Sequence, residues 1–233
     1  MKVASLWSPG NHDGSVARGV ELIAVKMERV ATVMNRKRRA RHLSRWRRQL
    51  LGSLSLAERT GDAEAVHDLR VAARRLRAYA RIAHDERLDR DLRKAIHATN
   101  ALRDFDVAIE LGSSGGELRK PRADEARRVR HALGRKEMKR LERELANVPP
   151  VSRGDAKRRI AELRKKATRL RRGAHSIDDT HALRRTLREL QYCLDWIGED
   201  SAAVEARQRD LGAIVDKAVL RRVRRSLRAS GIR

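Results

Sequence analysis

The stretch Val66-His67-Asp68-Leu69-Arg70-Val71-Ala72-Ala73-Arg74-Arg75-Leu76-Arg77-Ala78-Tyr79-Ala80-Arg81-Ile82 decides the fold class. It contains no Gly or Pro and is dominated by Ala, Leu and Arg, the residues that cost least in a helix. At about 100° per residue, His67, Arg70, Arg74, Arg77 and Arg81 fall within an arc of roughly 80°, and Leu69, Ala73, Leu76 and Ala80 fall on another side, in a separate arc of roughly 60°. One helix therefore presents a basic stripe about 21 Å long at 1.5 Å per residue, backed by an apolar packing face and flanked by Arg75. Like charges at i+3 and i+4 repel, so the stripe calls for something negative along it.

The pattern returns 114 residues later. In His181-Ala182-Leu183-Arg184-Arg185-Thr186-Leu187-Arg188-Glu189-Leu190-Gln191-Tyr192, His181 stands over His67, Arg184 over Arg70, Arg188 over Arg74 and Leu190 over Leu76. Matched H-x-x-R-x-x-x-R segments with matched Leu positions read as an internal repeat. The second stripe is the weaker, with Glu189 in the place of Arg75 and Gln191 in that of Arg77.

Outward from these two segments, alternating β-branched runs are missing and breakers divide helical material. Helices are expected near 15–58, 63–84, 87–111, 121–147, 153–173, 176–198 and 201–229, the last as one helix or a bent pair. Ser152 before Asp155 and Ser176 before Asp179 mark helix starts, because such side chains satisfy free N–H groups of a first turn. Pro121 suits the first turn of another helix. The glycine-rich run from Gly112 to Lys120 reads as a loop, since it lacks the G-x-x-x-x-G-K-[ST] spacing of a phosphate loop. Residues 1–14 read as a loose tail, followed by a helical domain over 15–229 whose halves, about 15–148 and 151–229, meet near Pro149.

Charge narrows the function. The 233 residues hold 45 Arg and 11 Lys against 31 Asp plus Glu, a net charge of +25. Self-repulsion on that scale points to a polyanionic partner. No apolar run is long enough to span a membrane and Met1 to Gly10 lacks a signal-peptide centre, so a soluble cytoplasmic protein is expected, with no membrane partner. The lone Cys193 agrees with a reducing compartment and reads as core. The run Arg36-Lys37-Arg38-Arg39-Ala40-Arg41 reads as a solvated helix face, with a nucleic-acid or membrane-surface patch as the alternative.

Arg offers a planar fork that takes phosphate oxygens bidentately. Three Trp, two Tyr and one Phe leave little for the base stacking used by single-strand binders; Trp46, Tyr79, Tyr192 and Trp196 read as packing residues. Catalysis finds no motif. The eight His include no pair at i+3 or i+4, so no helical zinc site is written locally. No G-x-S-x-G elbow occurs either. No metal, cofactor or catalytic residue is expected, and the chain reads as non-enzymatic.

Each stripe is followed by a further motif, Leu102-Arg103-Asp104-Phe105-Asp106-Val107 and Gln208-Arg209-Asp210-Leu211-Gly212-Ala213-Ile214-Val215-Asp216. Together the four segments resemble the CHAD family, the conserved histidine α-helical domain. Its halves carry H-x-x-R-V-x-x-R-R-L-R then R-D-x-D-V, and H-x-x-R then Q-x-x-L-G-x-x-x-D. The resemblance covers roughly residues 40 to 229, and it departs at Asn100, where Gly is usual, and at Gln191, often Arg. It implies an all-α fold of two four-helix bundles related by a pseudo-twofold axis, with a basic groove or central cavity that binds inorganic polyphosphate. The side chains so implicated are His67, Arg70, Arg74, Arg75, Arg77, Arg81, His181, Arg184, Arg185 and Arg188. Asp104, Asp106 and Asp216 are expected to pair with stripe arginines and fix their rotamers. Association with polyphosphate granules follows as an expectation. The alternative is a helical protein binding the DNA or RNA backbone with the same faces, nucleic acid otherwise being the weaker polyanion.

Overall fold

The computed structural model describes residues 37, 40–111, 115–173 and 176–229. The chain divides into two units, Met1–Arg41 and His42–Arg233, and everything below concerns the second. The loose tail, most of the helix expected from residue 15, Gly112 to Ser114 and the side chain of Asp216 lie outside the described residues.

Among the described residues every regular element is an α-helix. They are α1, whose part in this unit covers 42–60, α2 Ala63–Ile82, α3 Glu86–Ala98, α4 Asn100–Glu110, α5 Gly115–Ala132, α6 Arg135–Asn147, α7 Arg153–Arg172, α8 Ile177–Ile197 and α9 Ala202–Ala229. The last is one continuous helix, and among the described residues no helix is long and apolar enough to cross a membrane.

Local chemistry explains most boundaries. The side chain of Asp62 accepts from the Ala65 amide at 2.9 Å and starts α2. Gly61 before it adopts φ 63°, and a Cβ there would stand 2.8 Å from Ala126 Cβ, so only glycine fits. At the far end of α2, His84 takes φ 54° and the Asp85 amide returns to the Ala80 carbonyl at 2.8 Å, a left-handed helix stop. Ser152 and Ser176 each form the reciprocal capping box with Asp155 and Asp179.

Three expected elements come out differently. The segment 87–111 is two helices, broken at Thr99, whose hydroxyl donates back to the Ile96 carbonyl at 2.9 Å and competes with the helical ladder. The segment 121–147 is also two, interrupted at Gly134, which has the extended conformation of an N-cap. Pro121 lies in the interior of α5, so the expected loop from Gly112 to Lys120 is helical from Gly115 onward. The turn ahead of Pro121 carries Leu118, fully buried with Val107, Val215 and Val219, and that burial outweighs the proline's poor fit.

The principal core joins both sides of Pro149. Leu50, Leu54, Leu69, Leu76, Leu88, Leu92, Leu102, Leu145, Leu163 and Leu194 are fully buried, and all belong to one cluster. Within it Trp196 packs edge-on to Tyr79, ring centres 4.9 Å apart, and Trp46 lies 6.0 Å from Trp196. Tyr79 also donates its hydroxyl to the Pro149 carbonyl at 2.9 Å. Cys193 is buried in the same cluster, and burial followed by the charge of Glu189 pushes its thiol up to about 12, so it stays protonated and inert. Two smaller clusters tie α4 and α5 to α9, and α7 and α8 to α9. α2 packs against α3 on one side and α8 on another, which brings the two motif-bearing helices together.

Candidate functional site

The apolar back of α2 sits as its periodicity requires: Leu69, Ala73, Leu76 and Ala80 are wholly buried. The basic face is less uniform than its sequence. Arg70 is itself buried, 8% exposed, and its guanidinium plugs the break between α3 and α4. One nitrogen donates to the Ile96 carbonyl and to Thr99 Oγ1, both at 2.8 Å, and the other to Asn100 Oδ1 at 2.9 Å. The charge of Asp104 lies close enough to favour its protonated form, while burial and the charges of Arg103 and Arg188 push it down to about 10.

Arg74 sits one turn further on, where α2 faces α8. Burial, then the positive charges of Arg188 and Arg70 and, more weakly, Arg184, push it down to about 9. Among the described residues Arg74 has no ion-pair partner. Helix α8 thus delivers Arg184 and Arg188 to the same place as Arg70 and Arg74. From α9, Gly212 leaves room for this: a Cβ there would stand 3.2 Å from Arg184 Nη2. Gln208, one turn earlier, is buried and donates to Gln191 Oε1 at 2.7 Å, which gives that replaced cation position a neutral partner. His67 lies at the rim. Partial burial, then the charge of Arg103 and more weakly of Arg74, hold its imidazole below the usual range, with Asp68 and Glu110 opposing. Arg103 itself grips Glu110 with two nitrogens at 2.9 and 3.3 Å.

The other end of the stripe is filled. Arg77 donates to Asp89 at 2.8 Å. Arg81 donates to Asp89 at 3.1 Å and to Glu189. Glu189 also takes Arg159 at 2.6 Å, and Arg159 holds Glu162 at 2.9 Å. Three guanidiniums of α2 and α7 therefore meet three carboxylates of α3, α8 and α7.

The expected acidic partners were only partly found. Asp104 lies beside Arg70, but Asp106 turns away and takes Arg122 of α5 at 2.7 Å, which also reaches the Gly61 carbonyl at 3.2 Å. Residues two apart on a helix point about 200° apart, so Asp104 and Asp106 never shared a direction. Arg75 leans over the Tyr192 ring, 5.8 Å from its centre, with a 3.4 Å bond to Gln49. Arg185 is exposed and His181 half-buried. Sequence reasoning missed Asp89 and Glu189 as the anchors of the stripe. The signal for Asp89 was present: a turn this short between α2 and α3 folds them antiparallel, so carboxylates in the first turn of α3 lie beside the last turns of α2.

The model of the CHAD domain matches residues 37–225 of this chain. No curated protein matches. Among solved structures the chain is similar to the crystal structure of the CHAD domain from the plant Ricinus communis. The TM-score is 0.67 and the identity 17%, and the match covers 81% of this chain and 77% of that one. That likeness is one of fold.

Proposed function

Because the chain belongs to the CHAD domain family, a family associated with polyphosphate binding in general, we propose that it binds inorganic polyphosphate and performs no chemistry on it. The observation that carries this reading is the convergence of Arg70 and Arg74 of α2 with Arg184 and Arg188 of α8, close enough that, after burial, the charges of Arg188, Arg70 and Arg184 push Arg74 down and that of Arg188 helps to lower Arg70. Packing like charges together costs free energy in the free protein, and a chain of phosphates lying among them adds attractive terms that offset the repulsion. His67 extends the cluster outward, and Arg185 and His181 supply further basic groups along α8. A linear polyanion suits it, since each guanidinium takes phosphate oxygens through paired donors and no base needs a platform. Association with polyphosphate granules in the cytoplasm is part of the same proposal.

Competition tests it. At equal phosphate concentration, long-chain polyphosphate should displace duplex DNA and RNA from the protein, and the reverse order would favour a nucleic-acid-backbone binder. Affinity should also fall by orders of magnitude from about 50 to 500 mM salt, as each neutralised phosphate releases counterions. Incubation with polyphosphate and divalent metal should release no phosphate. Among the described residues no group of His, Cys, Asp and Glu side chains is arranged to hold a metal ion.

A further inference from the structure

Beyond the closed end of the stripe lies a cavity of about 570 Å³, lined by Arg81, His84, Asp85, Asp89, Arg158 and Arg159 among others. It has room for phosphate groups and continues the line of α2. Steric exclusion therefore does not stop an anion at this point. Charge does, because Arg77 and Arg81 arrive already bonded to Asp89 and Glu189, and Asp85, Asp155 and Glu162 face the same space. A phosphate entering here would have to displace a carboxylate from each guanidinium and then lie beside it.

Resting on the polyphosphate reading, we propose that Asp89 and Glu189 set one end of the bound chain. By satisfying Arg77 and Arg81 they confine phosphate to the segment served by Arg74, Arg188, Arg70 and His67. Two carboxylates then limit how many phosphate residues one protein molecule covers. Arg77 and Arg81, which the spacing of the stripe alone would count as ligands, serve as partners for those carboxylates.

The geometry makes this a gain-of-function test. Asp89→Asn with Glu189→Gln keeps an oxygen acceptor for each arginine and removes two negative charges. This double variant should bind polyphosphate about tenfold more tightly, about the worth of one added charge-assisted contact. It should cover more phosphate residues per molecule at saturation, and show a steeper fall of log affinity with log salt as two further arginines are recruited. Arg77→Ala with Arg81→Ala should leave wild-type affinity within about twofold, whereas Arg74→Ala should lower it by tenfold or more. Should the amide pair disturb folding, Asp89→Asn alone carries the test, since Glu189 then still holds both Arg81 and Arg159. Unchanged affinity, covered length and salt slope in the amide variants would overturn the boundary, as would an Arg77/Arg81 loss equal to that of Arg74. Failure of the wild-type protein to bind polyphosphate at all would instead overturn the underlying reading.

Discussion

Arg74 and Arg81 lie seven residues apart on one face of α2, two turns and about 10 Å along the same stripe. Arg74 is surrounded by other guanidiniums from its own helix and from α8. Arg81 touches two carboxylates, one from α3 and one from α8. The difference originates in the neighbouring helices, and it teaches that a run of cations at constant spacing is not one site. Where a second basic helix faces the stripe, like charges accumulate around Arg74. Where acidic residues face it, the stripe is already neutralised and contributes to the fold.

The largest consequence is for affinity. Replacing Arg74 and Arg188 together by Ala should weaken polyphosphate binding at least about a hundredfold, since hydrogen bonds to charged groups contribute about 1.5–3 kcal/mol each and each 1.4 kcal/mol is tenfold. Titration by fluorescence or calorimetry reads this directly, with circular dichroism confirming that helicity is kept. A loss under tenfold would mean that the convergence of α2 and α8 is not where phosphate binds.

Ligand should also raise thermal stability. Binding to the native state adds RT ln(1 + [L]/Kd), about 2.7 kcal/mol at a hundredfold excess over Kd. In a chain of this length that is a rise in Tm of several degrees. The shift should survive Arg81→Ala and largely vanish in Arg74→Ala at the same polyphosphate concentration. Equal shifts in the two variants would erase the distinction between the ends of the stripe.

In the free protein the two arginines should have opposite signs. A base whose folded-state pKa is lowered destabilises the fold at every pH below that value, so at neutral pH the cost of charged Arg74, pushed down to about 9, is fully present. Arg74→Met removes the cost and should stabilise the free protein by about 1 kcal/mol, in line with buried charges replaced by apolar groups. Arg81→Met strips a partner from Asp89 and from the mostly buried Glu189. It should destabilise by about 1 kcal/mol, a modest figure because Arg81 itself is 36% exposed. Each change corresponds to about 2–4 °C in Tm. Matching signs would show that the environments differ less than their contacts suggest.

Much of this was legible in the residues. Helix periodicity separated the buried face of α2 from its basic face, and the matched spacing of His181, Arg184 and Arg188 pointed to a second helix of the same kind. Capping chemistry located the starts of α7 and α8, because those bonds span three residues. What local pattern does not encode is the partner of a side chain far away in sequence. Arg70 and the break at Thr99 make one structure from segments almost 30 residues apart, and Arg81 meets Glu189 across 108. At the sequence level Glu189 registered only as a missing cation, whereas in the fold it supplies the charge that closes one end of the site.

The smallest expected effect is the dependence on pH, and it samples the open end alone. Partial burial and the charge of Arg103 hold the His67 imidazole below its usual range in the free protein. Its protonation therefore costs stability, and that contribution is lost as pH falls from about 6.5, the ordinary histidine value, through the folded value. A phosphate chain beside the ring adds negative charge and raises the pKa, so binding takes up protons. Affinity should then rise as pH falls, beginning near the bound-state pKa and levelling off below the free-state one. The groups facing His67 are Asp68 and Arg74 of α2 and Arg103 and Glu110 of α4; none of these ordinarily changes charge between pH 5.5 and about 8. A gain of about threefold across that interval corresponds to less than one pKa unit of linkage at 1.36 kcal/mol per unit. His67→Gln should flatten the profile while retaining most of the affinity at pH 8. Nuclear magnetic resonance titration of the ring should place its pKa below the usual histidine value without ligand and higher with it. A profile that keeps its slope in the Gln variant would assign the proton uptake to another histidine and move His67 outside the bound chain, shortening the open end to the arginines alone.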